Sequence, residues 1–290
     1  MTLKGETHKI RSVENRVIAL LTDFGEEDFF VASLKGVIAG INPSARVIDI
    51  THSVPAFNTF AGGFVLYASY SNFPPETIFL VIVDPGVGSD RKILLVETAR
   101  HLFIAPDNGV LSLALEKERI VRAREIRNPD YFLPAVSSTF EGRDKMAPAA
   151  AWLSLGVPAE KFGPAAASLY KEKTSQPELR GKELTGSIMY IDKFGNAITN
   201  IPAGWLETKV PPCSNRIFSL KLERRVQADT GLSDRHEAVF LKTYDSAEKN
   251  ELIILEGSLG SLELAVREGS AASRLKVRAG DGIALILKKE

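Results

Sequence analysis

The chain has a single cysteine in 290 residues, Cys213, so no disulfide can form within it and no cluster of thiolates can hold a metal. That scarcity suits a reducing compartment, and the expected location is cytoplasmic. Histidine is also sparse. His8, His52, His101 and His236 include no pair four residues apart and no His-Glu-x-x-His, so no histidine-rich metal site is expected. Neither charge is in excess, with 36 Lys+Arg against 36 Asp+Glu, so charge points to neither a nucleic acid nor a membrane surface. No apolar run approaches the roughly 18 residues of a membrane helix. Residues 1–16 lack the apolar core of a signal peptide. A Walker sequence and a Gly-x-Ser-x-Gly elbow are both missing, which removes support for P-loop and serine-hydrolase chemistry.

What is present is an ordinary globular composition, 44% hydrophobic and 25% charged, ample for one large domain or two smaller ones. Residues 1–15 read as a lead-in. Over 16–170, strands and helices alternate. Apolar runs at 17–21, 46–50 and 77–83 read as strands, and 92–97 and 102–105 as two more joined by a hairpin turn. Helical spacing covers 29–41, closed by Asn42-Pro43, then 57–70 and 110–115. This alternation predicts a doubly wound, mostly parallel α/β sheet. An alanine-rich helix, 147–155, follows Thr139-Phe140-Glu141-Gly142-Arg143-Asp144. That loop is expected to feed a helix N-terminus, where free N–H groups favour negative charge. Residues 171–185, rich in Lys, Glu, Thr, Ser, Gln and Pro, read as a linker. From 186 to 290, short strands at 186–191, 218–222, 238–242, 252–256 and 283–287 predict an all-β, barrel-like domain.

Parallel sheets bind ligands beyond the carboxyl ends of their strands. Asp23, Asp84 and Asn108 each follow an apolar strand. Gly86-x-Gly88 has the spacing of a dinucleotide loop, but Arg91 takes the third glycine position and a strand follows, so that context fails. What is left is an acid, Asp84, and an arginine, Arg91, on a tight glycine turn. Asp28, at the head of a helix, reads either as an N-cap or as a ligand group. Asp192-Lys193-Phe194-Gly195-Asn196 reads either as a β-turn or as a binding cluster. In the second case Phe194 stacks on a heterocycle, Asn196 reads its edge and Asp192 takes an ammonium.

Six motifs then fall in a fixed order. They are Thr22-Asp23-Phe24-Gly25 with Asp28; Thr51-His52-Ser53; Asp84-Pro85-Gly86-Val87-Gly88 with Arg91; Pro106-Asp107-Asn108-Gly109; Phe140-x-Gly142-Arg143-Asp144; and Asp192-x-Phe194-Gly195-Asn196. With Gly257-Ser258-x-Gly260-x-Leu262-Glu263 near the end, the chain resembles the S-adenosyl-L-methionine hydroxide adenosyltransferase family, relatives of the fluorinase and chlorinase, over residues 16–287.

The resemblance implies an α/β domain followed by a β-barrel and a homotrimer with S-adenosylmethionine (SAM) bound between subunits. It further implies no cofactor, and attack of water on ribose C5′ to give adenosine and L-methionine. It places Asp23 on the ribose hydroxyls, Phe57 near the ribose, Asp28 and Asp192 towards the methionine ammonium, Phe194 and Asn196 at the adenine and Ser258 near the methionine carboxylate. Asn108 and Phe140 belong to the matching motifs, and Gly142 offers an N–H beside the nucleophile. The family's water-handling set is Asp, Arg and His. Asp84 and Arg91 match, but the histidine of Phe-His-Gly-Arg-Asp is Glu141 here. Two outcomes follow. Glu141 serves as a carboxylate water activator, or a second anion near Asp84 weakens the site, leaving a protein that binds SAM or adenosine with little or no turnover. Val87 stands where the halogenating relatives carry a hydroxyl, which argues against a halide site.

Overall fold

The computed structural model describes residues 16–135, 137–208, 217–223 and 235–288. The lead-in 1–15 and Cys213 lie outside them. The chain divides into two compact units, Met1–Glu172 and Lys173–Glu290.

The first unit runs β1 (Val17–Thr22), α1 (Phe30–Ile41), β2 (Arg46–Thr51), α2 (Thr59–Ser69), β3 (Ile78–Ile82), β4 (Ile93–Thr98), β5 (Leu102–Pro106), α3 (Ser112–Leu115), β6 (Ile120–Glu125) and α4 (Ala147–Ser154). Its six strands form one sheet in the order β2-β1-β3-β5-β4-β6. The pairs β1–β2, β1–β3 and β3–β5 are parallel, while β4 is antiparallel to both β5 and β6. β1, β3 and β5 are buried along their whole length, which is why they read as continuous apolar runs. Seven of the eight residues of α4 are buried; its alanines let its backbone lie close against α1, β1 and β3.

Three expectations need correction here. The second helix starts at Thr59, not at residue 57. Asn58 caps it by accepting the Ala61 N–H at 2.9 Å, and Phe57 lies outside it in the left-handed region at φ 64°. The third helix is a single turn beginning at Ser112. Residues Gly142–Met146 form a π-helical turn continuous with α4, so the loop does not open onto free N–H groups at the head of α4. Pro148, at the second position of α4, has no N–H to donate back into the π turn ahead of it. Four strands were not foreseen: β6 here, and Glu178–Arg180, Ala197–Pro202 and Ser261–Val266 in the second unit.

The second unit holds β7 (Glu178–Arg180), β8 (Glu183–Ile191), β9 (Ala197–Pro202), α5 (Gly204–Thr208), β10 (Ile217–Glu223), β11 (Arg235–Phe240), β12 (Leu252–Glu256), β13 (Ser261–Val266), α6 (Ala271–Leu275) and β14 (Gly282–Leu287). The strands are ordered β14-β10-β11-β12-β13-β9-β8-β7, and β14 also pairs with β8. Seven strands thereby close into a barrel, with β7 added outside on β8. Pairing is antiparallel except between β11 and β12. The segment 171–185, linker-like in composition, contains β7 and the start of β8. Leu184, Ile188, Ile201, Phe218, Ile254, Leu264 and Leu285 belong to the barrel core. β9 alternates buried and half-buried residues along its length, as a barrel strand must. No helix among the described residues is long and apolar enough to cross a membrane.

Candidate active site

The connection from β1 leads to β2 on one side, and the chain then crosses to β3 on the other. The carboxyl ends of β1 and β3 therefore flank the switch point of the sheet, where parallel folds place ligands. Thr22 pairs with Ile82, so Asp23 and Asp84 leave adjacent strands at the same edge.

Asp23 accepts the Phe57 N–H on Oδ2 at 2.8 Å and so holds the left-handed turn in which Phe57 stands 73% exposed. His52 is buried and braces the same edge. Its Nδ1 lies 2.9 Å from Thr22 Oγ1, and its carbonyl accepts the Gly25 N–H at 2.8 Å. Asn108 donates from Nδ2 to the Val83 carbonyl at 2.8 Å and ties the end of β5 to the end of β3. Asp28 is exposed and is not the N-cap of α1, which is Phe29 without a side-chain bond.

The loops after β3 and before α4 meet. Gly88, at φ 79°, lies so close that a Cβ there would sit 2.7 Å from the Ser138 carbonyl oxygen. A Cβ on Gly142 would be 3.2 Å from Ile82 Cδ1. Phe140 is buried edge-on against Phe24 and Phe30. Asp144 is fully buried. It accepts the Ser137 N–H at 2.6 Å and pairs with Arg143, which fixes the entry to the π turn.

This packing brings Asp84, Arg91 and Glu141 together. Arg91 donates from Nε to both oxygens of Asp84, at 2.9 and 2.8 Å, and from Nη2 to Asp84 Oδ2 and Glu141 Oε2, each at 2.5 Å. The three side chains are only 6% (Asp84), 10% (Arg91) and 9% (Glu141) exposed. Lys145 donates to the remaining Glu141 oxygen, Oε1, at 2.5 Å. The result is a chain of alternating charge, in which each buried ion has an opposite partner. Burial pushes the Glu141 carboxyl up, but the hydrogen bonds from Lys145 and Arg91 outweigh it and hold the carboxyl below the ordinary glutamate value. Burial opposes the charge on Arg91, and Asp84 and Glu141 more than restore it.

In the second unit, Asp192, Phe194, Asn196 and Ser258 line one cavity of about 860 Å³. The turn reading of the Asp192 motif holds in detail. Asp192 Oδ1 accepts the N–H groups of Phe194 and Asn196, and Oδ2 accepts Asn196 Nδ2 at 2.9 Å. The turn also leaves Phe194 66% exposed on the cavity wall and Asn196 buried within it. Ser258 is exposed in the turn between β12 and β13.

Two cavity residues were not assigned from sequence. Glu263 is buried and accepts the Tyr244 hydroxyl at 2.5 Å. Burial raises its carboxyl, the Tyr244 hydrogen bond opposes this, and the charge of Asp192 adds to the rise. Lys145 was also missed; its signal is the i,i+4 spacing from Glu141. Among the described residues, no group of three or more His, Cys, Asp or Glu could hold a metal ion.

Family models describing the SAM hydroxide adenosyltransferase N-terminal and C-terminal domains match residues 18–163 and 186–284. An (R)-S-adenosyl-L-methionine hydrolase from Salinispora arenicola is 36% identical over 269 residues, spanning 91% of this chain and 95% of that protein. A fluorinase from Nocardia brasiliensis is 26% identical over 212 residues, 64% of this chain and 71% of that protein. A crystal structure of a conserved protein from Thermotoga maritima superposes with a TM-score of 0.84 at 37% identity, covering 93% of this chain and 99% of that one.

Proposed function

The chain belongs to the SAM hydroxide adenosyltransferase family, and on that footing we propose that it hydrolyses SAM at ribose C5′ to adenosine and L-methionine. The observation that carries this reading is the Asp84–Arg91–Glu141 cluster at the switch point of the sheet. A water oxygen bonds to C5′, the C5′–S bond breaks, and methionine leaves as a neutral thioether. One water proton passes to a carboxylate and on to solvent. The sulfonium is already an excellent leaving group, so in-line positioning and partial desolvation of the water carry much of the rate.

In this reading Arg91 fixes the two carboxylates, and Asp84 and Glu141 accept hydrogen bonds from the water. Gly142 brings its backbone N–H alongside, and Phe140 packs beneath. Asp23 has Oδ1 for the ribose hydroxyls while Oδ2 keeps its bond to Phe57, whose ring stands near the ribose. Asn108 keeps the two strand ends in register. Phe194 and Asn196 take the adenine and Ser258 the methionine carboxylate. Asp28 and Asp192 face the ammonium, Asp192 through the lone pair its turn leaves open. SAM is the substrate and no cofactor is needed. The assembly is a homotrimer with shared sites. Val87 in place of a hydroxyl favours water over halide.

Incubation of the protein with SAM, followed by chromatography, is expected to release adenosine and methionine in equal amounts. Asp84→Asn is expected to lose about 100-fold or more, the scale of one well-placed proton-transfer group. Absence of adenosine above the blank removes the reading.

One observation favours a second reading, a protein that binds SAM or adenosine and turns it over slowly or not at all: both Glu141 oxygens are already engaged by cations. Calorimetry separates the two, because binding without turnover supports only the second.

A further inference from the structure

Glutamate at position 141 brings a negative charge that a neutral imidazole would not. Asp84, Arg91 and Glu141 alone sum to one net negative charge in a site that must hold a nucleophilic water. Left so, the two acids repel each other and any hydroxide character in the water, or share a proton and lose acceptor strength. The structure supplies a fourth group. Lys145 stands on the turn after Glu141, is 25% exposed at its side chain, and reaches Oε1 while Arg91 holds Oε2. Its ammonium also lies 5.7 Å from the centre of the Phe132 ring, so it is held from two sides.

We infer that Lys145 is a positioning residue for the water-handling carboxylate. It fixes Glu141 in one orientation and cancels the charge that a second acid beside Asp84 introduces. This rests on the hydrolysis reading above. Glutamate and lysine together thus do electrically what one neutral imidazole does: four charged groups, two of each sign, make a site of no net charge. The charged groups that face Glu141 are Arg91 and Lys145, with Asp84 across Arg91. Arg143 and Asp144, on the same turn, pair with each other, and Lys35 of α1 pairs with Asp49.

The arrangement makes a prediction that a purely structural lysine does not. In the wild type both cations hold the Glu141 carboxyl below its ordinary value, so the acid limb of the rate profile is expected on the acid side of that value. In Lys145→Met, burial is opposed by Arg91 alone. The acid limb is expected to move up, and kcat near neutrality to fall about tenfold as Glu141 loses its fixed orientation. The double variant Glu141→His with Lys145→Met is expected to recover most of that loss, because imidazole brings no charge to cancel. An unshifted acid limb together with an unchanged kcat in Lys145→Met overturns the inference, and so does failure of the double variant to exceed Lys145→Met. Lys145→Gln replaces Lys145→Met if the latter melts early.

If the wild type releases no adenosine, the hydrolysis reading fails by itself. Carbon-13 titration of the Glu141 carboxyl, assigned with Glu141→Gln, then judges Lys145 alone. A higher midpoint in Lys145→Met upholds its role, and an unchanged midpoint overturns it.

Discussion

Glu263 is 6% exposed against Tyr244, inside the cavity of the second unit. Its carboxyl is raised by burial, less the Tyr244 bond, plus the charge of Asp192. The folded state therefore keeps a proton that the unfolded chain has released. The stabilisation from that proton is complete below the unfolded value, 4.5, and is lost as pH rises through the raised folded value. Glu263→Gln keeps an acceptor for the Tyr244 hydroxyl and does not titrate. The gap in melting temperature between Glu263→Gln and wild type is expected to widen in the variant's favour as pH rises above 4.5 and then to level off. A gap that does not vary with pH would remove the protonated-carboxyl account. Gly257 belongs to the same argument, since a Cβ there would lie 2.8 Å from Glu263 Oε2.

The turn joining β8 to β9 is the element on which the cavity depends. Gly195 holds φ 84°, and a Cβ there would lie 2.5 Å from Ser270 Cβ and 3.0 Å from its Cα. Its carbonyl accepts the Ala272 N–H at 2.9 Å, docking the turn on α6. Gly195→Ala is expected to destabilise the protein by about 2–4 kcal/mol in denaturant melts and to weaken nucleoside binding measured by calorimetry. A neutral effect on both would show that the turn is free to shift. This element was legible in the sequence because acid, aromatic, glycine and amide sit within five residues. So were β1, β3 and β5, whose burial on both faces writes itself as uninterrupted apolar residues. β6 was hidden because its first three residues, Ile120, Val121 and Arg122, are exposed and the strand pairs at the sheet edge with β4. The π turn was hidden because hydrophobic spacing cannot separate it from the first turn of α4. The Asp84–Arg91 pair could be seen on one glycine loop, whereas Tyr244 gains meaning only from Glu263, which the fold brings to it.

At the scale of the molecule, each unit carries its own core: one gathers residues between 18 and 162, the other residues between 184 and 287. The proposed trimer gives a mass of three copies of 31.6 kDa, about 95 kDa, by light scattering. A mass of one copy at assay concentration, with hydrolysis intact, would remove the shared site while leaving the chemistry in place. β8 carries a further consequence. Its first residues pair with β14, so the barrel is sealed by an early and a late strand of the second unit. On the ribosome, the first unit and the hairpin from β8 to β9 can form early. The seal cannot form until the residues through Leu287 have emerged, so the pairing that completes the barrel comes after every other strand of this unit is available.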